Sequence, residues 1–213
     1  MRAQAILLFG TPGSGKGTQG QMIGQIPGFV HCSTGELFRA LDKNSDFGKV
    51  FEEYSSKGML VPDDFTITLL KHHLENLVKE GKFDQKNSMI VLDGVPRNVN
   101  QAKLLTDTID VRSIIYLETA DVDKMVSRLK KRATISGRLD DVDENVIRNR
   151  MTVYARETAP VLEYYDPSLV TSVEADQAII RVFSDIVKTL ATLKENDVDM
   201  SSLTGAALSA ALH

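Results

Sequence analysis

A glycine-rich loop, a lysine and six arginines carry most of the chemistry this chain could do. Residues 10–20 read GTPGSGKGTQG. Gly10, Gly15 and Lys16 fit the spacing G-x-x-x-x-G-K, in which backbone N–H groups converge on phosphate oxygens and the lysine adds a point charge. The donors would be the N–H groups of Gly13, Ser14, Gly15, Lys16, Gly17 and Thr18, with the dipole of the following helix behind them. In such loops a Ser or Thr hydroxyl usually follows the lysine and binds magnesium. Here Gly17 stands in that place and the threonine comes one residue late. Residues 89–94, MIVLDG, form an apolar run that ends in Asp93, the strand-end acid that holds magnesium in phosphate-loop proteins. Arg39, Arg97, Arg128, Arg132, Arg138 and Arg150 add planar, permanently charged forks that grip two phosphate oxygens at once. Phosphoryl transfer asks for that combination, because it depends on positioning and charge neutralisation. Singly, each arginine would equally suit a solvated helix face. Arg128 and Arg132, spaced i,i+4, share one face in either case.

These groups need a scaffold, and strand and helix patterns alternate to supply it. Short apolar runs at 5–9, 29–33, 88–92, 113–117 and 169–173 read as strands. Helical patterns cover 16–26, 34–43, 47–57, 63–80, 98–108, 121–132, 143–165 and 178–195, with Asp63 as a helix cap. The alternation predicts an α/β fold, a five-stranded parallel sheet flanked by helices. Two stretches interrupt it: the helices of 34–80 and the segment 133–141, which lacks apolar periodicity and reads as a loop. Insertions at strand ends are common places for parts that cover a substrate.

A length of 213 residues suits one domain, here 1–195 with a polar tail at 196–213. The net charge of −4 argues against a general nucleic-acid surface. One cysteine, Cys32, leaves no disulfide framework within the chain and no Cys-based zinc site. No apolar run reaches the roughly 20 residues of a membrane span. The N-terminal stretch is a strand pattern that runs into the glycine loop, not a signal peptide. A cytoplasmic monomer without membrane or nucleic-acid partners is expected.

The loop GTPGSGKGTQ resembles the GxPGxGKGTQ loop of adenylate kinases and their nucleoside monophosphate kinase relatives. Six further segments agree in order: STGELFRA (33–40), GMLVPDD (58–64), DGVPRNVNQA (93–102), SRLKKR (127–132), SGRLDD (136–141) and RNRMTVY (148–154). The resemblance covers about residues 4–195. In that family Gly follows the lysine, and magnesium is held largely through water and the nucleotide phosphates. It implies a P-loop NTPase-like core, a helical monophosphate-binding insertion at about 33–64, and a short lid at about 133–141 with no structural zinc. It also implies the reaction: ATP, with Mg²⁺, reversibly gives its terminal phosphoryl group to AMP, yielding two ADP.

The same resemblance distributes roles. Residues 13–18, Arg128, Arg132 and Gln177 bind ATP. Thr34, Arg39, Met59, Leu60, Val61, Gly94, Val95, Pro96, Arg97, Gln101, Arg138 and Arg150 form the AMP side. Lys16, Arg97, Arg128, Arg132, Arg138 and Arg150 serve catalysis, with Asp140 and Asp141 as the acidic pair that orients lid arginines. Asp93 holds magnesium through water. Arg150 is placed by counting back from Tyr154, and Arg148 is its rival. Thr34 and Gln101 favour AMP, since a Gln amide offers donor and acceptor to the N6/N1 edge of adenine. Val95 and Asn98 replace the family's usual Phe and Thr and lean slightly toward a UMP/CMP kinase. A nucleotide-triggered switch protein is the remoter alternative, and would not need a second arginine-lined site.

Overall fold

Alternation of side chains along the first strand sets the layout. The structure, a computed structural model, describes residues 2–197. β1 (Ala3–Gly10) puts Ala5, Leu7 and Phe9 into one hydrophobic cluster and Ile6 and Leu8 into another. Successive side chains point to opposite faces, so a strand apolar on both faces must be covered on both. β1 therefore lies at the centre of a parallel sheet. Its order is β2 (Phe29–Ser33), β3 (Met89–Asp93), β1, β4 (Ile109–Glu118) and β5 (Val170–Glu174).

Helices seal both faces. α8 (Ile179–Asp197) brings Val182, Ile186 and Leu190, each one turn from the next, onto the Ile6–Leu8 side. α4 (Asp63–Lys79) and α5 (Val99–Leu105) cover the other side with Ile67, Leu70, Leu74, Ala102 and Leu105. Each fully buried side chain of this kind contributes about 1.5–3 kcal/mol.

Strand order reverses at β1, which pairs with β3 on one side and β4 on the other. The crevice beyond the strand ends at such a point is where α/β sheets bind ligands. Register brings the chain to one edge there, since Ser33 and Leu8 both pair with Asp93. α1 (Lys16–Ile23), α2 (Thr34–Arg39) and α3 (Asp46–Ser55) rise from that edge. The Ser45 hydroxyl caps α3 by accepting from Gly48 N at 3.1 Å.

Two expected elements differ. The loop at 133–141 is partly helix, because α6 (Val122–Ser136) continues to Ser136 and Leu139–Asp141 form a 3-10 turn. Thr134 and Ser136 return their hydroxyls to the carbonyls of Lys130 and Arg132, so these side chains turn back on the helix and do not compete for its N–H groups. The long helix at 143–165 is instead α7 (Glu144–Val153), a π turn at Tyr154–Thr158 and a 3-10 turn at Ala159–Tyr164. Pro160 has no N–H to continue an α-helix. The expected tail lies, from residue 198 onward, outside the described residues. Among the described residues no helix is long and apolar enough to cross a membrane.

Candidate active site

The glycine loop leaves β1 through a residue that only glycine suits. Gly10 has φ 144°, and a Cβ there would lie 2.6 Å from Ser14 Oγ and 2.7 Å from the Leu117 carbonyl oxygen. Ser14 N donates to Thr11 O at 3.1 Å, closing the turn ahead of α1. Lys16 opens α1 and folds back over the loop. Its Nζ donates to the carbonyls of Gly10 and, at 2.9 Å, Thr11. Burial pushes the Lys16 ammonium down to about 8. Asp93 opposes that shift, and Arg97, Arg150 and Arg132 add to it.

The turn after β3 is the second half of the site. Gly94, at φ 85°, passes between Thr34 and Arg97, where a Cβ would come within 2.9 Å of Thr34 Oγ1 and 3.0 Å of an Arg97 guanidinium nitrogen. Its carbonyl accepts from Thr34 Oγ1 at 3.0 Å and from Arg97 Nε at 2.7 Å. Arg97 N donates to Gln101 Oε1 at 2.7 Å, and the Arg97 carbonyl accepts from Thr158 Oγ1 at 2.7 Å. Asn98 caps α5, its Oδ1 accepting from Gln101 N at 2.8 Å. Gln101 is buried, and its Nε2 donates to Asp63 Oδ1 at 2.9 Å.

Other arginines of the site are held by acids. Asp141, fully buried, takes Arg132 Nε on Oδ2 and Arg150 Nη1 on Oδ1, each at 2.6 Å. Arg150 also meets Asp140 Oδ2 at 3.1 Å. Burial works against the Asp141 carboxylate, but its hydrogen bond to Arg132 and the charges of Arg132 and Arg150 hold it below the usual carboxylate range. From the middle of α6, Arg128 reaches the Ala175 carbonyl at 3.4 Å and Asp176 Oδ1 at 3.4 Å. Arg148 faces away, pairing with Glu144 and Asp123 on the exposed side of α7.

One cleft of about 370 Å³ gathers these parts. Lys16 lines it with Arg39, Arg97, Arg128, Arg132, Arg138 and Arg150, and so do Gly13, Gly15, Gly17, Thr18 and Asp140. Thr34, Met59, Leu60, Val61, Gly94, Pro96 and Gln101, all expected on the AMP side, line it too. Arg39, Arg97 and Arg138 are each held below the ordinary guanidinium range by burial and by another arginine: Arg138, Arg150 and Arg132 respectively. Positive charge is thus concentrated here without enough anion to match it, as a polyphosphate site requires.

Four expected site residues sit off the lining. Ser14 is buried beneath the loop, and Val95 packs into the core against the sheet. Asp141 lies behind its two arginines. Gln177 is occupied elsewhere: its Nε2 donates to Glu174 O and Asp185 Oδ2, each at 3.0 Å. Other residues with a part in the site were not foreseen. Thr158, Asp176 and Asp63 fix Arg97, Arg128 and Gln101. All three bonds join segments distant in sequence, so nothing local announced them.

Asp93 is nearly buried at the end of β3. A Cβ at position 17 would stand 3.6 Å from its Oδ2, so the carboxylate looks across the start of α1. Among the described residues no three His, Cys, Asp or Glu side chains gather around a point. One carboxylate suits Mg²⁺, which usually keeps several waters and takes its other ligands from substrate phosphates.

Comparison with known proteins points to one family. The adenylate kinase family model matches residues 8–170. An adenylate kinase of Flavobacterium psychrophilum is 36% identical over 195 residues, covering 87% of this chain and 98% of its own. Adenylate kinase isoenzyme 1 of Rattus norvegicus is 35% identical over 195 residues, covering 91% of this chain and 97% of its own. An adenylate kinase of Mycobacterium ulcerans is 37% identical over 193 residues, covering 87% and 98%.

Proposed function

This chain belongs to the adenylate kinase family, and we propose that its cleft transfers the terminal phosphoryl group of ATP to AMP, reversibly, giving two ADP. The observation that carries this reading is the meeting of two cationic sites in one cleft. The phosphate loop with Lys16 faces the turn of Arg97 and the helix of Arg39, and the lid arginines lie between them. A switch protein needs the first site alone.

An AMP phosphate oxygen attacks the γ-phosphorus as the bond to the β–γ bridging oxygen breaks. The AMP phosphate is already anionic at neutral pH, so no general base is required. What the reaction needs is alignment and neutralised charge. Arg39 and Arg97 hold the AMP phosphate. Lys16 and the N–H groups of residues 13–18 hold the ATP phosphates. Arg128, Arg132, Arg138 and Arg150 surround the moving group once the lid segment of about 133–141 closes over it, and Asp140 and Asp141 orient them. Mg²⁺, when bound, neutralises the ATP phosphates, and Asp93 would hold it through water. Thr34 and Gln101 read the adenine of AMP, inside an insertion of about 33–64. We read the chain as a cytoplasmic monomer that takes ATP, AMP and ADP; its net charge of −4 speaks against a general nucleic-acid surface.

Coupled measurement of ADP formation from ATP with AMP, CMP or UMP tests the reading. AMP is expected to be the best acceptor by kcat/KM. Equal or better turnover of CMP or UMP overturns the assignment of AMP.

A further inference from the structure

Asp63 was expected to cap α4, yet it does no capping. Pro62 occupies the cap position, and Asp63 is the first residue of the helix. Its carboxylate turns to the start of α5 and accepts three side-chain amides. Asn98 Nδ2 and Gln101 Nε2 donate to Oδ1 at 2.8 and 2.9 Å, and Asn100 Nδ2 donates to Oδ2 at 2.7 Å. Burial works to raise the carboxyl, but the three amides outweigh it and hold Asp63 below the usual carboxylate range.

A Gln amide can be turned over, exchanging its oxygen and nitrogen, and only its neighbours decide which way it lies. Around Gln101 both neighbours agree. The Arg97 N–H demands the oxygen, and the Asp63 carboxylate demands the nitrogen. The opposite setting would put two donors together at Arg97 and two acceptors together at Asp63. In the setting found, one N–H and one lone pair of Gln101 remain for the cleft that it lines. Asn98 belongs to the same device. Its Oδ1 accepts the cap bond from Gln101 N while its Nδ2 donates to Asp63 Oδ1.

We propose that Asp63 is a positioning residue for acceptor choice: it locks the Gln101 amide in the setting that presents a donor and an acceptor to a 6-aminopurine edge. The inference rests on the proposed function above, in which Gln101 meets the acceptor base. Asp63 also ties the insertion, which ends at α4, to the turn that carries Arg97. A base that cannot match a fixed donor and acceptor leaves them unpaired and is rejected.

The test is steady-state kinetics with AMP and CMP on wild type, D63A, Q101A and the double variant. D63A is expected to raise KM for AMP about tenfold, with kcat and KM for ATP within about twofold of wild type. The AMP/CMP ratio of kcat/KM should fall by a similar factor. In the Q101A background D63A should no longer change that ratio, because it acts through Gln101. An equal loss for AMP and CMP, or a full effect of D63A without Gln101, overturns the proposal. D63N keeps the shape but replaces one acceptor with a donor, and should shift the ratio the same way by less. If D63A does not fold, an unchanged ratio in D63N overturns the proposal. Failure of the underlying reading shows separately, in wild type alone, as a preference for CMP over AMP.

Discussion

The two halves of the cleft are built by opposite means. On the side proposed for the acceptor, neutral amides converge on the single Asp63 carboxylate, and the Thr34, Arg97 and Gln101 groups are fixed by bonds of 2.7–3.0 Å. On the side proposed for the donor and the lid, the groups are cations engaged with stand-ins. Lys16 donates to its own loop's carbonyls, while Arg132 and Arg150 are paired with Asp141. Selection of a base needs donors and acceptors that do not move. Charge that shifts during transfer needs cations able to change partners, and loop carbonyls and acids hold such cations in reach meanwhile. Damage to the fixed half should therefore appear in KM and acceptor choice, and damage to the exchanging half in kcat.

The largest break in that contrast is expected from Lys16→Met, which removes one cation and keeps an aliphatic stem. Loss of one charge contact made in the transition state lowers kcat by ~10²–10⁴. KM for AMP should change little and circular dichroism should stay native. Near-wild-type kcat in a folded variant would show that the lysine is not among the exchanging cations.

Asp141→Asn should have the next largest effect. An amide can accept from one of the two arginines, but turns N–H groups toward the other in a fully buried place. Unpairing a buried ion pair costs about 3–5 kcal/mol, and less here because Arg132 and Arg150 keep some access to solvent. A loss of ~10–100-fold in kcat would follow from about 1.5–3 kcal/mol, with the AMP/CMP ratio preserved. A changed ratio would mean that the lid also selects the acceptor.

The exchanging half was the more legible in sequence. β1 and β3 show as apolar runs ending at Gly10 and Asp93, and the phosphate loop has a fixed spacing between them. A lysine after glycines announces itself locally. The choice of Arg150 over Arg148 by counting from Tyr154 matches their placement, with Arg150 on the cleft and Arg148 in surface pairs. The fixed half was less legible because its partners are 35–38 residues apart in the chain. An acid at the start of a helix satisfies the local rule for caps and dipoles, so nothing nearby marks Asp63 as the acceptor for a distant glutamine. Asn98 looked like a departure toward pyrimidine kinases, yet in the fold it serves both the α5 cap and Asp63. The end of α6 escaped for the opposite reason: residues 133–136 have no apolar period, yet the helix continues through them to Ser136.

The smallest effect, and one that separates the halves without a substitution, is the response to pH. Burial brings the Lys16 ammonium to about 8 in the free protein. A bound triphosphate favours the charged form and raises that value toward or above the ordinary 10.5. Below pH 8 the lysine is protonated in both states and no proton is exchanged. Above it the free protein has lost the proton, so binding must take one up and affinity falls as pH rises. At pH 9 the loss is about tenfold relative to pH 7, by the same linkage. On the acceptor side Arg39 and Arg97 stay charged throughout this window, and Asp63, held below the usual carboxylate range, stays ionised. AMP binding should therefore stay flat from pH 7 to 9. Calorimetry of ATP and of AMP in two buffers of different ionisation enthalpy measures both. Proton uptake with ATP but not with AMP at pH 9 would sharpen the contrast. Equal uptake with both nucleotides, or with neither, would show that Lys16 does not respond as the exchanging cation of the pair.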